Sequence, residues 1–133
     1  MKKMNPVVHF EMPALDRKRM ADFYSGVFGW EARMLGDEMG NYVTVSTAET
    51  DEKGMIEAPG SINGGFYPVT DDGTPHYPSL VIAVDDLKEA MGKIRKAGGQ
   101  ILGEPVTIPG VGDYVSFIDT EGNRCSILKA LMG

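Results

Sequence analysis

The stretch "HFEMPALDRKRMADFYSGVFGW" (9–30) carries a strand and a helix in immediate succession. It continues from Val7 and Val8 with apolar alternation, the pattern of a half-buried strand in which residues i and i+2 share a face. Val8, Phe10 and Met12 fall on one side, and His9 and Glu11 fall together on the other. The strand ends near Pro13, and Asp16 stands where a helix needs a side-chain cap for its unpaired N–H groups. Met20, Phe23, Tyr24 and Val27 follow at the i, i+3, i+4, i+7 spacing of one helical face. This predicts a helix over about 15–28, stopped by Gly29. A histidine and a carboxylate on the inward face of a strand both need partners. Burying either unsatisfied costs roughly 1–3 kcal/mol or more. A closed hydrogen-bond network, water, a metal or a ligand would each meet that need.

Working outward, 133 residues predict a single domain spanning 1–133. A net charge of −6 argues against a nucleic-acid partner, which requires clustered Lys and Arg. No apolar run approaches the length of a membrane span, and "MKKM" lacks the apolar segment of a signal peptide. Cys125 is the single cysteine, so no intramolecular disulfide forms, and a reducing, cytoplasmic setting is expected.

After the first helix, short strands are predicted at Glu31–Met34, Asn41–Thr47 and Ser61–Pro68, separated by Gly- and charge-rich turns. The same order then begins again. Ser79–Val84 reads as a strand and Asp85 or Asp86 as a cap. Leu87, Ala90, Met91, Ile94 and Ala97 share a helical face, and Gly98 and Gly99 end it. Strands follow near Gln100–Leu102, Tyr114–Asp119 and Arg124–Lys129. Shifting the chain by about seventy residues aligns Asp16 with Asp86 and Gly29 with Gly99. A repeat of this kind decides architecture. The fold class expected is α+β, two β-α-β-β-β modules of about 5–69 and 76–131.

The opening stretch resembles the start of the vicinal oxygen chelate superfamily, which includes glyoxalases, extradiol dioxygenases, epimerases and bleomycin-binding proteins. The matching residues are His9, Asp16, the Phe23-Tyr24 pair and the Gly29-Trp30 pair. "SFIDTEGNRCSIL" (116–128) resembles the closing signature, with Thr120 in place of a proline. The resemblance implies paired modules with concave mixed sheets enclosing a cleft, commonly in a homodimer. In enzymatic members it also implies a divalent metal held by residues on the first and last strand of each module.

Carried over residue by residue, the ligand positions are His9, a position near Gly64 or Gly65, Ser79 and Ser126. Only His9 is a good donor, and divalent sites generally need about three protein ligands. Glu11, beside His9, and His76, three residues before Ser79, are the available substitutes. The expectation is therefore a cleft that binds a small organic molecule with no cofactor and no tightly held metal. His9 and Glu11 would be the catalytic pair, and the metal ligands if any metal binds. Tyr42, Thr44, Gly64, Gly65, Ser79, Tyr114, Ser116 and Ser126 would line the site, a mostly neutral wall of the kind small molecules use. The double glycine in "INGG" (62–65) suggests close approach by a ligand or a neighbouring strand. The alternatives are a metal-dependent glyoxalase-like lyase, isomerase or dioxygenase, and an interaction domain whose cavity is filled. Cys125 alternates away from Ser126 and reads as a core thiol.

Overall fold

The computed structural model describes residues 4–49, 51–53, 60–70, 76–108 and 111–130. These form a mixed α+β arrangement of eight strands and two helices in the order β1 (Val7–Ala14), α1 (Arg17–Phe28), β2 (Glu31–Met34), β3 (Val43–Ser46), β4 (Asn63–Pro68), β5 (Ser79–Ala83), α2 (Leu87–Lys96), β6 (Gln100–Ile108), β7 (Gly112–Ile118) and β8 (Arg124–Ala130). The chain divides into two compact units, His9–Pro78 and Ser79 onward, the latter taking in the residues up to Val8. Ala83 donates its N–H to the carbonyl of Pro6 at 2.9 Å, which ties that leading segment to β5.

Each unit carries the predicted strand-helix-three-strand order. In the first, the strand order is β2-β3-β4-β1, with β1 and β4 parallel and the other pairs antiparallel. In the second it is β5-β8-β7-β6, with β5 and β8 parallel and the rest antiparallel. A parallel first-to-last pairing needs a crossover, and in both units the helix supplies it.

The helix starts are set by the aspartates. Asp16 accepts from the N–H of Arg19 at 3.1 Å, and Asp86 accepts from that of Glu89 at 3.0 Å. Gly29 closes α1 in the left-handed conformation, φ 73°, and its N–H returns to Ser25 O. Helix α2 buries Leu87 and Met91 against β6, β7 and β8, with Val115, Phe117 and Ile127 completing that core. Cys125 packs on the same side, as expected of a core thiol.

In the first unit, Ala14, Val43, Val45 and Phe66 form the core, and Phe10, Met12, Met20, Tyr24 and Trp30 pack around it. Tyr24 stacks on Trp30 at 4.8 Å between ring centroids and meets Phe66 at 5.6 Å. The predicted helical face is corrected here. Phe23 and Val27 are exposed, and the buried residue of α1 is Ala21, flanked by Met20 and Tyr24. The helix thus turns Ala21, with Met20 and Tyr24, toward the core.

Several strands run further than expected. The β1 ladder continues past Pro13, since Val69 N–H donates to Ala14 O at 3.1 Å. Strand β6 reaches Ile108, with a register shift between Leu102 and Val106 that absorbs Gly103, Glu104 and Pro105. A bulge on an outer strand is where a proline is tolerated. Asn63 forms no turn. It begins β4, and its side chain accepts from Thr47 N–H at 3.0 Å. The "DTEGN" segment (119–123) is a self-contained turn. Asp119 Oδ1 accepts from the N–H groups of Glu121 and Asn123, while Asn123 Nδ2 donates to its Oδ2 at 3.0 Å. These bonds, the Asn123 amide foremost, hold the Asp119 carboxyl below the ordinary value. The closing signature therefore works as a strand connector.

Candidate functional site

On the first unit, alternation along β1 puts Phe10 and Met12 in the helix-side core and leaves His9 and Glu11 on the opposite face. Tyr42 comes to meet them. His9 Nε2 lies 3.1 Å from Tyr42 Oη, and the same hydroxyl donates to Glu11 Oε2 at 3.1 Å. The phenol is a bridge between the two groups that the sequence marked as needing partners. Burial holds the His9 imidazole below the ordinary histidine value of 6.5, so it is neutral near pH 7.

The space for Tyr42 is made by Gly65. Strand β4 pairs Gly65 with both Glu11 and Thr44, and a Cβ built there would run into the Tyr42 ring and hydroxyl. At Gly64 the equivalent Cβ would collide with Phe10, on the core side. The double glycine is therefore the seat of two aromatic rings, one on each face of β4. Gly65 belongs to the His9 face and Gly64 to the core.

The loop between β2 and β3 delivers Tyr42. Residues Asp37–Met39 form a 3-10 turn, and Gly40 and Asn41 both take positive φ, 67° and 56°. Asparagine is one of the few residues besides glycine that tolerate this region. Leu35 N–H then donates to Tyr42 O at 2.9 Å. From α1, Arg17 reaches into the loop and donates to Leu35 O at 2.6 Å and to Asn41 O at 3.1 Å. This clamp escapes sequence reasoning, because Arg17 looks like one more basic residue in the first turn. The Gly40-Asn41 pair directly before Tyr42 was the available hint. Removing the clamp by Arg17→Ala should cost roughly 1–3 kcal/mol, the scale of charge-assisted hydrogen bonds that are only partly buried. Both bonds come from Nη1, so Arg17→Lys should recover only part, since the ammonium sits on a shorter, more flexible stem and is more strongly hydrated than the planar guanidinium. Urea denaturation of the two variants measures both effects.

The remaining predicted residues lie as follows. Thr44 is exposed on β3, opposite Arg33. His76 sits beside Thr70, with Nε2 3.2 Å from its Oγ1, and near the Tyr67 ring. On the second unit, Ser79 opens β5 and is half-buried, and Tyr114 is half-buried on β7. Ser116 and Ser126 are both buried, at 7% and 2% exposure, and their hydroxyls bond one another at 2.9 Å. They form a closed pair across β7 and β8. The structure thus brings His9, Glu11, Tyr42 and Gly65 together, and separately Ser116 with Ser126.

The donor set does not fit a divalent cation. His9 Nε2 and Glu11 Oε2 both point at the Tyr42 hydroxyl, the facing strand position is glycine, and Ser126 is bonded to Ser116. Among the described residues, no three of His, Cys, Asp and Glu gather within reach of one ion.

The profile of the Glyoxalase/Bleomycin resistance protein/Dioxygenase superfamily matches residues 7–127. The chain belongs to that superfamily. This superfamily member is 31% identical over 120 residues to a glyoxylase-like domain-containing protein of Didymella fabae, covering 88% of each chain. It is 29% identical over 126 residues to the anthracycline biosynthesis protein DnrV of Streptomyces peucetius, covering 90% of this chain and 45% of DnrV. The domain thus spans less than half of that relative. Among solved structures, methylmalonyl-CoA epimerase in complex with methylmalonyl-CoA superposes with a TM-score of 0.71 at 14% identity, over 98% of this chain and 97% of the epimerase. The epimerase of Mycobacterium tuberculosis gives 0.68 at 15%, over 98% and 93%. At these identities the superfamily member shares a fold with the epimerases, and its chemistry is a separate matter. Among its described residues, no helix is long and apolar enough to cross a membrane.

Proposed function

We propose that this domain binds a small organic molecule at the face bearing His9, Tyr42 and Glu11, without a tightly held divalent metal, in a cytoplasmic setting. The observation that carries the reading is the Tyr42 hydroxyl bonded to both His9 and Glu11 at 3.1 Å. It ties the one carboxylate of this face to a phenol and leaves a hydrogen-bonding surface in place of the several anionic donors that a cation requires. Small-molecule sites are built from a few placed polar groups of this kind. The names of the relatives point the same way. One belongs to anthracycline biosynthesis, and a fold neighbour was solved with methylmalonyl-CoA.

Thermal unfolding tests both halves of the proposal. A ligand bound only to the folded state at a hundredfold over its Kd adds about 2.7 kcal/mol. Zinc, nickel, manganese or iron should produce no shift of that scale. A shift that His9→Ala abolishes would replace this reading with a metal-dependent glyoxalase-like lyase or dioxygenase. Small organic compounds should include binders that raise the melting temperature of the parent and fail to raise that of Tyr42→Phe. A broad compound set with no binder would leave an interaction domain as the better account.

A further inference from the structure

The two hydrogen bonds at Tyr42 decide where the proton of His9 sits. A carboxylate can only accept, so the single hydroxyl proton of Tyr42 is committed to Glu11 Oε2. The Tyr42 oxygen is then left to accept, and the group facing it at 3.1 Å is His9 Nε2. Nε2 must therefore carry the imidazole proton. In the neutral ring this leaves Nδ1 as a bare lone pair. Nδ1 makes no hydrogen bond to any described residue. His9 is part-buried and not sealed in the core.

We infer that Glu11 and Tyr42 act as positioning residues that hold His9 in its Nε2–H form, presenting Nδ1 as the acceptor for a neutral ligand that donates an O–H or N–H. The inference rests on the ligand-binding reading above and narrows its chemistry. An anion would meet a lone pair backed by a carboxylate and find no donor there. A hydroxyl or amine proton finds the lone pair unoccupied and pre-oriented. Without the chain of two hydrogen bonds the imidazole would distribute its proton between both nitrogens, and the acceptor would be present only part of the time.

The test is nitrogen NMR of the ¹⁵N-histidine-labelled protein. The chain has only two histidines, so His76→Gln identifies the His9 signals unambiguously. The folded parent should show His9 neutral with its proton on Nε2. Tyr42→Phe, which keeps the ring and deletes the bridge, should give a mixture of the two neutral forms. Should Tyr42→Phe fail to fold, Glu11→Gln serves, since an amide can donate to Tyr42 and release it to donate to His9. Phenol should then move the Nδ1 resonance of the parent, while anisole, the same ring without the donor proton, should not. A His9 proton found on Nδ1, or phenol and anisole with equal effects, would overturn the inference. Either result leaves the ligand-binding reading standing. Failure of every compound in the thermal screen, with the proton found on Nε2, would instead count against that reading.

Discussion

Phe66→Ala is expected to destabilise the domain by about 3–5 kcal/mol, the range for removing a fully buried aromatic side chain. Phe66 is 0% exposed and stands between Tyr24 and the buried Val43 and Val45. Its neighbours are fixed by the β3–β4 ladder on one side and by the Tyr24–Trp30 stack on the other, so the cavity cannot close. A domain's entire stability is typically about 5–15 kcal/mol. The urea midpoint should fall steeply, with the denaturant slope unchanged. A loss below about 1 kcal/mol would mean that the aromatic cluster is not packed as described.

Gly112→Ala should be comparably severe for a different reason. Gly112 holds φ at 149°, which an L side chain rarely adopts, and an added Cβ would strike the backbone carbonyl of Lys129 and the Cα of Ala130. The obstruction is main chain in the paired strand, so no rotamer change relieves it. Backbone strain of about 1–3 kcal/mol and an overlap of similar size together predict a loss of about 2–6 kcal/mol. Gly26 is the control. It lies on exposed α1 with nothing near a built Cβ, and Gly26→Ala should be neutral or stabilising. Equal effects from the two substitutions, measured by denaturation, would refute the argument.

Much of the fold was legible because its signals are local. Asp16, Asp86 and Gly29 act within one turn of where they stand, and the alternation along β1 assigns His9 and Glu11 to one face without any distant information. The phase of α1 was not legible, because apolar residues surround too much of the helix. Phe23, Val27 and Phe28 compete with Ala21 for the buried side, and the side chosen is the one that puts Tyr24 on Trp30 and Phe66, residues distant in the chain. The full extent of β6 was hidden by Gly103 and Pro105, which read as an ending until the bulge accommodates them. For the site, the need of His9 and Glu11 for a partner could be read from β1 alone. That a single hydroxyl answers both could not. It depends on Arg17 clamping a loop, on Asn41 adopting positive φ, and on the emptiness of position 65, none of which periodicity reports.

The seating of Tyr42 on Gly65 makes the two positions interdependent. The phenol and any side chain at position 65 claim the same volume, so they are alternative occupants. A substitution at 65 is therefore felt through residue 42: any larger side chain there must push the phenol off His9 and Glu11. The cost of Gly65→Ala and that of truncating Tyr42 are not additive, because once the ring is gone the added methyl no longer has anything to displace.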